Sequence, residues 1–90
     1  MIVLLTQCFP SRVGGIETLM YNIALHLSHS NDVVVLADQQ NFEKDNIFDQ
    51  KEINFSTKRF RGIKFLRNRK KYYELKRICY SSKIDAVISD

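Results

Sequence analysis

The sequence predicts an α/β protein built on an open, mainly parallel sheet with helices on its faces. Three observations carry this reading. Ile2 to Leu5 and Val33 to Ala37 are apolar at every position and rich in β-branched residues, as strands covered on both faces of a parallel sheet are. Between them, Ile16, Leu19, Met20, Ile23, Ala24 and Leu27 recur at the i, i+3, i+4, i+7 spacing of one helical face. The remaining chain then offers a further strand, a helix and a last strand, completing the order β-α-β-β-α-β.

Each element follows from local chemistry. The first strand ends at Thr6-Gln7 and passes into Cys-Phe-Pro-Ser-Arg-Val-Gly-Gly, a stretch rich in turn formers. Ser28 to Asp32 is a polar break between the helix and the second strand. Residues 38 to 52 are polar apart from Phe42, Ile47 and Phe48, and read as a long surface excursion. Ile53, Phe55 and Thr57 alternate, suggesting a short third strand. Ile63, Leu66, Tyr73, Leu75, Ile78 and Cys79 favour a helix from about Gly62 to Ser82, with Tyr72, Leu75 and Cys79 on one stripe. Beyond Lys83, Asp85-Ala86-Val87-Ile88-Ser89-Asp90 reads as another short apolar strand. Four strands and two helices in 90 residues leave part of such a sheet uncovered. The expectation is therefore the front end of a larger protein, or a compact relic that buries its open edge against a partner, and self-association of the isolated chain.

Composition narrows the classes. No apolar run approaches the roughly 20 residues of a membrane span, and the N-terminus lacks a signal peptide's basic region and apolar core, so a cytoplasmic location is expected. Cys8 and Cys79 stand in no metal or redox spacing and read as two partly buried thiols. The net charge of +4 hides an asymmetry: residues 1 to 57 hold three bases, Arg12, Lys44 and Lys51, against seven acids, whereas residues 58 to 90 hold eleven bases against three acids. A basic block of that density invites an anionic neighbour.

Chemistry is expected in the first loop. Gly14 and Gly15 follow a strand and open a helix, where backbone N–H groups approach a ligand closely and the helix N-terminus favours an anion such as a diphosphate. The same pair also serves a purely structural turn with glycine at the N-cap. Neither the three-glycine dinucleotide fingerprint nor the Gly-Lys-Ser/Thr phosphate loop is present. Asp38, at the end of the second strand, has the position of a ribose-binding acid, but the commoner reading is a solvated strand end. His26 and His29 read as solvated helix residues, and Tyr72 and Tyr73 as part of a helix stripe.

Residues 1 to 37, with Phe9-Pro10 before the loop, Gly-Gly-Ile-Glu at its end and the apolar second strand, resemble the start of the family 4 glycosyltransferases, whose GT-B architecture pairs two Rossmann-like domains. The closing Lys-Ile-Asp-Ala-Val-Ile-Ser-Asp resembles a later strand of that family, with Ser89 and Asp90 where a His often stands. The resemblance implies a partial N-terminal, acceptor-side domain over residues 1–90, and a retaining enzyme moving a sugar from a nucleoside-diphosphate sugar to a saccharide or lipid-linked acceptor. It implies no metal or other cofactor. The C-terminal donor-binding domain has no counterpart in these residues.

By the same resemblance Gly14 and Gly15 face the donor diphosphate and acceptor, with Glu17 shaping the loop. Arg12 and Asp90 are candidates for the same binding site, and a strand order of 3-2-1-4 would set the Gly14-Gly15 loop beside Ser89-Asp90. Several enzymes of the family dock on membranes through a basic helix, which assigns Arg67, Arg69, Lys70 and Lys71 to an anionic membrane surface. Two other readings fit the fold: a nucleotide-binding domain of another class, whose fingerprint is missing, and a basic nucleic-acid-binding module, whose recognition motif is missing. Nucleic acid is not the expected partner.

Overall fold

A computed structural model describes residues 1–51 and 54–89. Its elements run β1 (Ile2–Thr6), α1 (Gly15–Leu27), β2 (Val33–Asp38), α2 (Phe42–Gln50), β3 (Ser56–Phe60), α3 (Lys64–Ser81) and β4 (Ala86–Ser89). The four strands form one sheet in the order β3-β2-β1-β4, and every pairing is parallel. The α/β class and the parallel sheet therefore match the sequence reading. No described helix is long and apolar enough to cross a membrane.

The pleat explains why the two central strands are apolar throughout. Ile2, Leu4, Val33, Val35 and Ala37 face α1, where they join Met20 and Ala24. Val3 and Leu36 face the other way, onto Ile78 of α3, with Leu5, Val34 and Leu75 packed around them. Each central strand thus needs apolar residues at consecutive positions, because both of its faces are roofed. β4 pairs only with β1 among the described residues, and its Val87 is exposed.

Three expectations change. Residues 38 to 52 are not one surface excursion: Asp38 ends β2, and Phe42 to Gln50 form α2. This helix is capped by Asn41, whose side chain accepts from the Lys44 amide at 3.0 Å. It turns Asp45 and the half-buried Phe48 inward, and so little apolar surface leaves no periodic signal in the sequence. Phe55 is buried just ahead of β3, which runs to the buried Phe60; Ile53 lies outside the described residues. On α3, Tyr72 and Cys79 are exposed, and the inward side carries Lys71, Leu75 and Ile78 instead.

Phe9 ties the first loop to this frame. Its ring is fully buried and meets Tyr21, Phe48 and Phe55 at centroid separations of 6.4, 6.1 and 6.1 Å, so α1, α2 and the approach to β3 converge on one loop side chain. Phe9→Ala opens a cavity with no neighbour free to fill it. It is expected to cost about 3–5 kcal/mol in urea unfolding, whereas Phe9→Leu retains most of the stability.

Candidate functional site

The carboxyl ends of the parallel strands gather the residues singled out from the sequence, and the strand order reverses between β1 and β4. As the chain leaves β1, Thr6 Oγ1 accepts from the Cys8 amide at 2.9 Å and donates to the Cys8 carbonyl at 3.1 Å, closing a tight turn. The loop then crosses to α1 under the control of two acids and an arginine. Asp45 accepts from Ser11 Oγ at 2.5 Å and from the Gln40 and Asn41 amides at 2.7 and 3.2 Å. Arg59 grips Asp49 through Nε and Nη2 at 3.1 and 2.9 Å, donates to the carbonyls of Pro10 and Asp38, and lies over the Phe9 ring. Its Nη1 is 3.6 Å from Asp45.

Sequence reasoning missed this clamp. Its one legible signal is a charged residue inside a short strand: Arg59 pairs in register with Ala37, whose small side chain leaves room for the guanidinium over the loop.

The two glycines have different reasons to lack a side chain. A Cβ on Gly14, the N-cap of α1, would collide with the Glu17 carboxylate. Glu17 is itself buried and pairs with the exposed Arg12 at 3.1 Å. A Cβ on Gly15 would meet nothing within 4 Å. A side chain at Gly14 would therefore require the Glu17 carboxylate to shift, whereas the space above Gly15 is open. No side chain caps α1, so its first backbone N–H groups have no side-chain acceptor.

A second depression, of about 230 Å³, lies at the reversal point, with Thr6, Gln7, Asn68, Lys71, Tyr72 and Ser89 in its walls. Thr6, the last residue of β1, and Gln7 share this space with Ser89; Gly14 and Gly15 do not line it. Asp90 lies outside the described residues. Beside the depression Asp38 is 3 % exposed, not solvated, and its carboxylate sits 2.6 Å from Lys71 Nζ and 3.3 Å from Arg67 Nε. Oδ1 of Asp38 and Nε of Arg67 make these contacts by charge without an aligned hydrogen bond.

This pairing turns inward two of the four bases that the sequence assigned to a membrane surface. Lys71 is 7 % exposed and Arg67 half-buried, both turned toward the sheet, because a buried carboxylate at the end of β2 requires cations beside it. Arg69 and Lys70 remain exposed. They belong to an outward side of α3 that also carries Phe65, Tyr72, Tyr73, Lys76 and Tyr80.

Burial alone would raise the Asp45 carboxyl; hydrogen bonds from Ser11 and Gln40 and the charge of Arg59 outweigh it and hold the group below its usual 3.8. A depressed folded-state value stabilises the fold above 3.8, and that contribution is lost as pH falls below it. Asp45→Asn is accordingly expected to lower stability at neutral pH and to flatten the acid limb of a pH–stability profile measured by urea unfolding.

No family model and no curated protein matches the chain, so what this end of the sheet can do is read from its geometry.

Proposed function

We propose that this chain is the acceptor-side, N-terminal part of a retaining family 4 glycosyltransferase, moving a sugar from a nucleoside-diphosphate sugar to a saccharide or lipid-linked acceptor. The open space above Gly15 is the observation that carries the reading. A side chain on Gly14 would meet the Glu17 carboxylate and one on Gly15 would meet nothing, and Gly15 sits on the uncapped N-terminus of a helix at the carboxyl end of a parallel sheet. An anionic group can approach the backbone there, and the helix dipole and free amides favour it. Glu17, the acid of that first turn, has its charge offset by Arg12. In this role the chain's residues hold and orient the diphosphate and the acceptor.

The test separates fold from ligand. Gly15→Ala is expected to raise helix stability by roughly 0.5 kcal/mol while weakening the amide shifts that uridine- or guanosine-diphosphate sugars induce at Gly14 to Glu17. Unchanged binding in a folded Gly15→Ala chain, or no movement of these amides in the wild type at millimolar ligand, overturns the reading.

The same reading places an anionic membrane surface among the partners, through the outward side of α3. Phe65 and Tyr80 there are 68 % and 84 % exposed, and Arg69 and Lys76 lie between them. Aromatic rings and cations on one side suit an acidic headgroup layer, where each base adds about 1 kcal/mol. Sedimentation with phosphatidylglycerol vesicles is expected at low salt, with none on phosphatidylcholine. Charge reversal of Arg69, Lys70 and Lys76 should abolish it without disturbing the Asp38 pairs. Failure to bind anionic vesicles at low salt would remove the membrane from the proposal.

A further inference from the structure

Residues 1 to 57 are acidic overall, and their three bases are far apart in the chain. All three nonetheless line one groove of about 380 Å³ between the first loop and α2. Lys44 on α2 and Lys51, the residue that caps its C-terminus, are seven positions apart, with Ile47 and Phe48 between them in the lining. Arg12 and Val13 contribute from the loop. Val13 is 95 % and Ile47 58 % exposed, so the groove holds two large apolar side chains in water within a ring of cations.

No acid among the described residues lines the groove, and three acids near it are already engaged. Glu17 pairs with Arg12, Asp45 is buried against Ser11 and Arg59, and Asp49 is held by Arg59. Among the described residues Lys44 and Lys51 have no ion-pair partner. The described lining of the groove thus presents two lysines and an arginine and no acid.

We infer that this groove binds an amphiphilic organophosphate, with its phosphate or diphosphate between Lys44 and Lys51 and its apolar chain along Val13 and Ile47. A phosphate monoester carries about −1.5 to −2 at neutral pH, matching two ammonium groups. A neutral sugar would leave both cations unanswered, and a bare anion would leave Val13 and Ile47 in water. Val13, which lines the groove, directly precedes the Gly14-Gly15 pair in the chain. Identification of the bound molecule as the acceptor rests on the transfer reading; its binding does not.

The experiment titrates the chain with geranyl diphosphate, inorganic diphosphate and geraniol, following amide shifts at Ser11 to Val13 and Lys44 to Lys51. Geranyl diphosphate is expected to bind at least about tenfold more tightly than either of the others. Lys44→Glu with Lys51→Glu should weaken it at least about tenfold, and Ile47→Ser should erase its advantage over inorganic diphosphate. All three positions are exposed, and the comparison of ligands on the wild type needs no variant. Equal binding of inorganic and geranyl diphosphate, no saturable binding of geranyl diphosphate, or affinity unchanged by the charge reversals overturns the inference. No sugar nucleotide is present, so these outcomes are independent of the Gly15 titration that tests glycosyl transfer.

Discussion

The carboxyl end of this sheet depends on one guanidinium, that of Arg59, whose side chain is 10 % exposed. Arg59 reaches from β3, at one edge of the sheet, to the carbonyl of Pro10 in the loop that leaves the central strand β1, and on the way fixes Asp49 of α2. A charge in such a place is tolerable only when fully answered, because burial removes its hydration. Two carboxylates, two carbonyls and the Phe9 ring answer it. The loop consequently has little freedom to choose its path, and the glycines at its end are presented at a set position on α1.

Phe9 and Arg59 act on the same segment by different physics. The aromatic cluster is non-directional and holds the loop down onto α1 and α2, whereas the guanidinium and Asp45 bond to named backbone and side-chain atoms and set its register. Together they let α2 form with almost no apolar face of its own. Its stability is borrowed from the loop it clamps, and the groove bearing Arg12, Lys44 and Lys51 exists because loop and helix are held apart at a fixed distance by that clamp.

Charge on α3 is divided by geometry. Arg67 and Lys71, four residues apart, turn inward to Asp38, while Arg69 and Lys76 point to water on the opposite side. A count of bases treats these residues alike. The inward pair neutralises a carboxylate at the end of β2 and helps dock the helix, so only the outward set remains to attract an external anion.

The sequence by itself determined the secondary structure wherever burial is periodic. Ile2 to Leu5, Val33 to Ala37 and the stripe from Ile16 to Leu27 must be strands and a helix because each buries a continuous apolar surface, and the parallel α/β class follows from two central strands apolar on both faces. It also marked Gly14 and Gly15 as the opening of α1. Only the tertiary structure decided what required contacts between distant polar residues: α2, whose inward side is Asp45 and Phe48, the clamp of Arg59, the pairing of Asp38 with Arg67 and Lys71, and the separate reasons for the two glycines. Hydrophobic burial repeats with the period of the backbone and so is written along the chain. A buried ion pair joins residues tens of positions apart with no period, and is settled only when the fold brings them within reach.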